Sequence, residues 1–385
     1  MALSNPVAVF YVSTTVIGGS HHSLLGLIKG LPPQWRKIVI YTEHDEGFLR
    51  LYSGHGIELV HQPVEGIVYA RYLRERPLRF IKDFLRAIFG LRRLLRKERA
   101  TLLYSDHIKG RVISALATVG LPTKTMGYLR IDRSFGLAER IAHHLSSAYV
   151  VITRAVLKRA LPWGGLLPKR TFLIYNGADP ERFKPRPPDD ELRKQLGLEG
   201  QQVIGFFGRY RPFKCPDVLL RSFALLKERG YDKVKLLLVG GAHEEAYPGF
   251  AQSLWDYAAE AGIEAELVKS GFVADTRPYI ALCDVVAVPS DYEPFGRVVI
   301  EAMAMEKPVV GGDNGGIPEI ITDGVDGVLV QPRDVKSLAD GLERVLNDPA
   351  LAERIGIEGR KTVIRRFTMA GNQARLRGLI SQLTE

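Results

Sequence analysis

Residues 290–319 read SDYEPFGRVVIEAMAMEKPVVGGDNGGIPE, and this stretch decides how the chain folds. Just ahead of it, 284–289 (DVVAVP) is a short continuous apolar run, the pattern of a parallel strand buried on both faces. Residues 297–305 instead repeat their apolar positions at helical period, so Glu293-Pro294-Phe295-Gly296 is the turn between strand and helix. In an open parallel sheet, ligands bind at the carboxyl edge of the strands, and the unpaired N–H groups that open the next helix attract an anion. The amides around Gly296, Arg297 and Val298 are therefore candidate phosphate donors. Glu293 precedes the helix and Glu301 lies about one turn inside it, which sets two carboxylates beside that anion. Carboxylates in such a place need hydroxyl partners, and a sugar nucleotide supplies them on ribose and hexose.

The same alternation of apolar strand and helical pattern extends along the whole chain. At 385 residues it is too long for one ordinary core and fits two domains. Strand signals begin near residues 6, 37, 57, 101, 123, 148 and 171, then near 203, 235, 265, 284, 307 and 327; each series reads as a doubly wound α/β domain. Proline and mixed charge after Pro180, without an apolar pattern, mark a linker. The predicted organisation is 1–180, a linker at 181–200, 201–367, and a last helix at 368–385. No run of eighteen apolar residues occurs, and the first strand follows directly on the start of the sequence; the reading is a cytoplasmic protein. Cys215 and Cys283 lack CxxC spacing and read as reduced, packed thiols.

Charge is uneven. Residues 1–180 hold 26 Lys and Arg against 12 Asp and Glu, whereas 181–385 hold 27 against 31, so the net charge of +10 belongs to the first half. Much of it lies in 71–99, where Phe80, Ile81, Phe84, Leu85, Ile88 and Leu95 fall at helical spacing among Arg and Lys. Three readings are open: a solvated basic face on a core helix, a helix resting on an anionic membrane surface with the protein peripheral to it, or a nucleic-acid surface. No recognised nucleic-acid motif accompanies the charge, so a nucleic-acid partner is not expected.

EPFGRVVIEAMA with GGIPE, DGVDGVLV (323–330), IYNGADPERFKP (174–185) and GFFGRYRPFKCPD (205–217) resembles the signature of the retaining glycosyltransferases of family 4, the glycosyl transferases group 1. The resemblance covers the second half of the chain closely and the first half loosely. It implies the GT-B fold, two facing Rossmann-like doubly wound domains with an interdomain cleft, and a last helix that crosses back to the first domain. It also implies a nucleotide diphosphate sugar as donor, a saccharide or lipid-linked acceptor, and a hexosyl transfer in cell-envelope glycan or polysaccharide synthesis.

Site residues follow from the same likeness. Arg209 and Lys214, on the loop after Gly208, correspond to the family's pyrophosphate cations, which stabilise the leaving group. Where the family commonly has glycine after the lysine, this chain has Cys215, which puts the loop's backbone shape in question. Val273 is the expected main-chain contact to the nucleobase. Glu293 is assigned to donor-sugar hydroxyls and Glu301 to the ribose, with Pro294, Phe295, Gly296, Arg297 and Val298 around the phosphates. A glycosidase-like pair of carboxylates is the competing chemistry. Gly18 and Gly19 correspond to the family's glycine loop against the donor; GGSHHSLLG does not have the spacing of a nicotinamide fingerprint. On the acceptor side Asp106 occupies the position of a family histidine, with His107 one step on, and Tyr128, Arg130 and Asp132 are further candidates. There is no Asp-x-Asp motif, so neither a metal nor another cofactor is expected. Two alternatives stay open: a nucleotide-sugar epimerase or disaccharide synthase on the same fold, and a basic nucleic-acid-binding protein.

Overall fold

In the computed structural model, which describes residues 5–12, 19–42, 44–62, 77–130, 137–160, 170–242 and 244–385, the chain forms two compact α/β units. The first comprises 1–175 and 371–385, the second 176–370. All strand pairs are parallel.

The first unit holds β1 (Val7–Val12), β2 (Arg36–Tyr41), β3 (Ile57–His61), β4 (Leu102–Ser105), β5 (Lys124–Leu129), β6 (Ala148–Val151) and β7 (Thr171–Leu173), in the order β3-β2-β1-β4-β5-β6-β7. Every residue of β1, β4 and β6 is buried, as a strand covered by helices on both faces must be. The helix Pro77–Lys97 packs Ala87, Ile88, Leu91 and Leu95 against β1, β2 and β4. Within this unit the last helix, Met369–Thr384, is tied back from its second turn onward: Asn372 donates to the Tyr175 carbonyl, and Arg377 Nη1 donates to the Gly30 carbonyl at 3.3 Å.

The second unit holds β8 (Gln202–Phe207), β9 (Val234–Val239), β10 (Leu267–Gly271), β11 (Val285–Val288), β12 (Val309–Gly312) and β13 (Val328–Val330), in the order β10-β9-β8-β11-β12-β13. That is the doubly wound arrangement in which the chain runs outward through three strands, returns to the centre, and runs outward again. The point of return lies between β8 and β11, where Val285 and Val286 pair with Ile204 and Gly205. Residues 181–200, read as a linker, belong to this unit and contain the helix Asp190–Gln195, capped by Asp189 accepting from the Leu192 N–H. None of its residues is buried, so no apolar stripe announced it.

Candidate functional site

Two loops leave the carboxyl edge of the second sheet at its point of return, one after β8 and one after β11. Each loop carries its candidate residues for a local reason. After β8 the chain passes Gly208 and Arg209, then closes a short turn at Pro212–Lys214 whose following residue, Cys215, is left-handed (φ 52°, ψ 45°). Cys215 thus holds a left-handed backbone, the shape that glycine adopts most readily. The thiol is fully buried, and burial pushes it up to about 11; Cys283 is likewise pushed up to about 12, so both are neutral thiols.

After β11 the turn ends at Gly296, left-handed at φ 106°, which starts the helix Arg297–Ala304. The first amides of a helix have no carbonyl one turn behind them, so those of Arg297 and Val298 are available to an anion. Phe295 is buried and meets Phe367 edge-on at 6.0 Å, which anchors the turn. Pro294 precedes it in the same turn.

The two loops are stitched together. Asp291 N–H donates to the Phe213 carbonyl at 2.9 Å, and Lys214 Nζ bonds Glu293 Oε2 at 2.6 Å. Lys214 therefore faces a carboxylate of the turn that leads into the helix, while Arg209 is exposed and makes no ion pair among the described residues. Glu301 is buried and bonds Arg297 Nη2 at 2.7 Å; burial raises its carboxyl above the usual range, against the pull of Arg297 and Arg182. The segment 312–316 fixes Glu293 from behind. Gly316 N–H donates to the Glu293 carbonyl at 2.7 Å, and Asn314 Nδ2 donates to the Asp291 carbonyl at 2.6 Å. Val273, beyond β10, lines an open pocket of about 560 Å³ with Pro278, Tyr279 and Asp275. One strand, β9, separates β10 from β8, so the end of β10 lies two strand spacings, roughly 10 Å, along the sheet edge from β8.

In the first unit, Asp106 and His107 follow β4, the neighbour of β1 at that sheet's own point of return. Asp106 lies 3.6 Å from Arg130 Nε, so its charge is balanced locally. His107 starts the helix Ile108–Ala117; its Nδ1 is buried without a partner, and burial holds its pKa below the usual value. Tyr128 is buried, its hydroxyl bonded to Asn372, and Arg130 stacks on its ring at 4.2 Å. Tyr128 is thus the platform under Arg130 and not itself a surface contact. Gly19 opens the helix Gly19–Gly30; Gly18 and Asp132 lie outside the described residues. Sequence reading missed Lys109 and Arg111. Arg111 is buried, bonded to Glu139 at 2.6 Å and to the Asp106 carbonyl at 3.0 Å, and so holds the Asp106 backbone. Lys109 Nζ is buried without a hydrogen-bond partner, and burial brings its pKa down to about 8. Only the IKGR cluster itself signalled these cations. Among the described residues, no three His, Cys, Asp or Glu side chains converge as metal ligands would.

Residues 188–362 match the family described as Glycosyl transferases group 1. The second unit carries that family's domain, and the whole chain has the two-domain GT-B fold. Relatives include the D-inositol 3-phosphate glycosyltransferase of Thermobifida fusca, 35% identical over 67% of this chain and 59% of the relative, and that of Saccharomonospora viridis, 38% identical over 47% and 43%. The chain spans about half the length of the curated relatives it matches. Among solved structures, Anabaena Alr3699/HepE in complex with UDP-glucose is similar over 98% of this chain and 99% of that one, at 25% identity and TM-score 0.82.

Two outcomes follow. Gly315 has φ +65°, and a Cβ there would fall 2.3 Å from the Glu293 carbonyl oxygen. Gly315→Ala should destabilise the protein by roughly 1–3 kcal/mol; a thermal melt indistinguishable from wild type would show that 312–316 does not fix Glu293. The second concerns Lys109, which titrates near 10.5 when unfolded and near 8 when folded. Between these values the unfolded chain binds more protons, so stability rises with pH across that window. Lys109→Met should remove this rise and raise the melting temperature at pH 7 by several degrees. A variant that keeps the wild-type pH dependence would place the origin elsewhere.

Proposed function

We propose that the chain is a retaining, metal-independent hexosyltransferase that moves a hexose from a nucleotide diphosphate sugar to a saccharide acceptor. The acceptor is lipid-linked and met by a peripheral enzyme at a membrane face, in the synthesis of a cell-envelope glycan. The observation that carries the reading is that the loop of Arg209 and Lys214 and the turn that opens the helix at Gly296 leave the sheet at the same return point between β8 and β11, joined by the Lys214–Glu293 pair. A pyrophosphate at the helix start meets open amides, and both cations stand on the facing loop. The Anabaena neighbour solved with UDP-glucose supports a sugar nucleotide of this kind as donor.

Each residue then has a task. Arg209 and Lys214 stabilise charge as the bond between the anomeric carbon and the phosphate oxygen breaks. The Lys214 ammonium has three protons, so it can hold Glu293 and a phosphate oxygen together. Glu293, oriented by Lys214 and by the Gly316 amide, accepts hydrogen bonds from hexose hydroxyls. Glu301, set inside the helix beside Arg297, takes the ribose. The departing phosphate accepts the acceptor hydroxyl's proton on the face where the new bond forms, which retains the anomeric configuration. Val273, beyond β10 and roughly 10 Å along the edge from β8, takes the base through its main chain. In the first unit, His107 accepts a hydrogen bond from the acceptor, because burial favours its neutral form.

Arg209→Ala and Lys214→Ala should each lower turnover of the nucleotide sugar by roughly 10²-fold, the size typical of a lost transition-state charge contact. Turnover should persist in excess EDTA, because protein cations and a helix start meet the phosphate charge. Wild-type rates in both variants would sink the assignment of the cations, and activity lost in chelator and restored by Mg²⁺ would overturn metal independence.

A further inference from the structure

The helix Pro77–Lys97 has two apolar stripes, and only one of them faces the core. Phe80, Ala87, Ile88, Leu91 and Leu95 are buried. Leu78, Ile81, Leu85 and Phe89 recur at spacings of three and four on a second stripe, and they are 82%, 51%, 46% and 64% exposed. This stripe runs roughly 16 Å at the helical rise. A neighbouring helix, Leu137–Leu145, repeats the arrangement with Leu137, Ile141 and Leu145 exposed. The two helices are joined through one small cluster, in which Phe84 and Ala138 pack on Val112, Ala115 and Ala142. Seven of the twelve exposed large apolar side chains among the described residues lie on these two helices, which makes the surface a patch and not a scatter.

The charges beside the patch identify what covers it. Lys82, Arg86, Arg93 and Lys97 follow one another at spacings of four and seven, all exposed, along the flank of the outward stripe. Within this helix seven Lys and Arg face a single acidic residue, Asp83, which lies 3.8 Å from Arg79 and from Arg86. A second copy of the chain, pairing this face with itself, would set cations against cations. A nucleic acid has no use for an exposed ridge of Leu, Ile and Phe. A bilayer with anionic headgroups fits both features, since apolar side chains enter the acyl boundary while Lys and Arg reach the headgroups. No helix of the described residues is long and apolar enough to cross a membrane, so the geometry is that of helices lying in the interface.

We propose that the outward faces of Pro77–Lys97 and Leu137–Leu145 form an insertion surface for anionic lipid, with Leu78, Ile81, Leu85 and Phe89 entering the bilayer. The inference rests on the reading of a peripheral enzyme with a lipid-linked acceptor, and it gives that attachment an apolar component beyond the basic charge of the sequence. The test is co-sedimentation of the full chain with vesicles of phosphatidylcholine alone or with phosphatidylglycerol added, without nucleotide sugar. The wild type should bind the anionic vesicles, and a fraction should stay bound in 1 M salt, where the Debye length falls to about 3 Å. Leu85→Asp with Phe89→Asp should lower the partition at least tenfold at low salt and abolish the salt-resistant fraction. Arg93→Glu with Lys97→Glu should weaken binding at low salt only. All four side chains are exposed, so circular-dichroism melts and donor hydrolysis should match wild type; hydrolysis failing in the wild type would tell against the transferase and leave the vesicle result standing. The proposal is overturned if the wild type ignores anionic vesicles at low salt, if the Asp variant binds like wild type, or if light scattering shows a dimer that this variant dissociates.

Discussion

The arrangement of the candidate site in the second unit depends on the turning back of its strand order between β8 and β11. Right-handed crossovers send successive strands to one side of the starting strand, and when the chain returns to the centre the loops on either side diverge. A groove opens there that no adjacent pair of sequential strands provides. The loop after β8 and the loop after β11 are 79 residues apart at Lys214 and Glu293, yet the return point makes them neighbours at 2.6 Å. That ion pair ties the two loops together across the return point, so loss of either partner leaves the other charge part-buried without its hydrogen bond. Both members are largely shielded, with side chains 21% and 15% exposed, and a pair in that setting is screened less by salt than one on the surface.

Much of this was readable in the chain. All thirteen strand signals correspond to strands; the central ones are the plainest, because parallel strands buried on both faces are continuous apolar runs, as VAVFYV and VVAV are, whereas the edge strands β3, β7 and β10 are only partly buried. Boundaries were less readable: the signal from residue 265 begins in a short turn, Glu264–Glu266, and the strand itself starts at Leu267. The helix Asp190–Gln195 buries nothing and so left no period in the sequence. The Lys214–Glu293 pair, the Arg111–Glu139 pair and the orphaned Lys109 ammonium are products of tertiary packing, invisible to any local pattern. The helix Pro77–Lys97 shows how periodicity blurs two faces into one. Phe80, Ile81, Phe84, Leu85, Ile88 and Leu95 look like a single stripe at spacings of one, three and four, but only Phe80, Ile88 and Leu95 are buried while Ile81 and Leu85 point outward.

Cys215 separates identity from geometry in the same loop. A glycine motif specifies a left-handed backbone, and a non-glycine residue there pays about 1–2 kcal/mol per residue for the crowding of its Cβ. Cys215 nonetheless holds φ 52°, with its amide on the Pro212 carbonyl and its thiol packed in the core against Val218 and Leu219 neighbours of the same cluster. Burial of a small apolar side chain offsets part of that strain. The motif's letter is lost while its turn is kept, so the cation before it is still delivered to Glu293.

The two units also differ in how they use charge. In the second unit the Lys and Arg count nearly balances Asp and Glu, and the cations near the return point are individually positioned: Lys214 on Glu293, Arg297 on Glu301, Arg333 on Asp291 at 2.8 Å. Such pairs fix the orientation of both members and leave little long-range field. The first unit carries the basic excess, and the helix Pro77–Lys97 holds seven Lys and Arg against the single acidic residue Asp83. Unanswered surface charge weakens the fold through self-repulsion, whereas it raises the local concentration of an anionic partner within a Debye length. A stripe of exposed Leu, Ile and Phe lies beside that charge, so on the proposed lipid surface short-range apolar adhesion would add to the attraction that the field supplies.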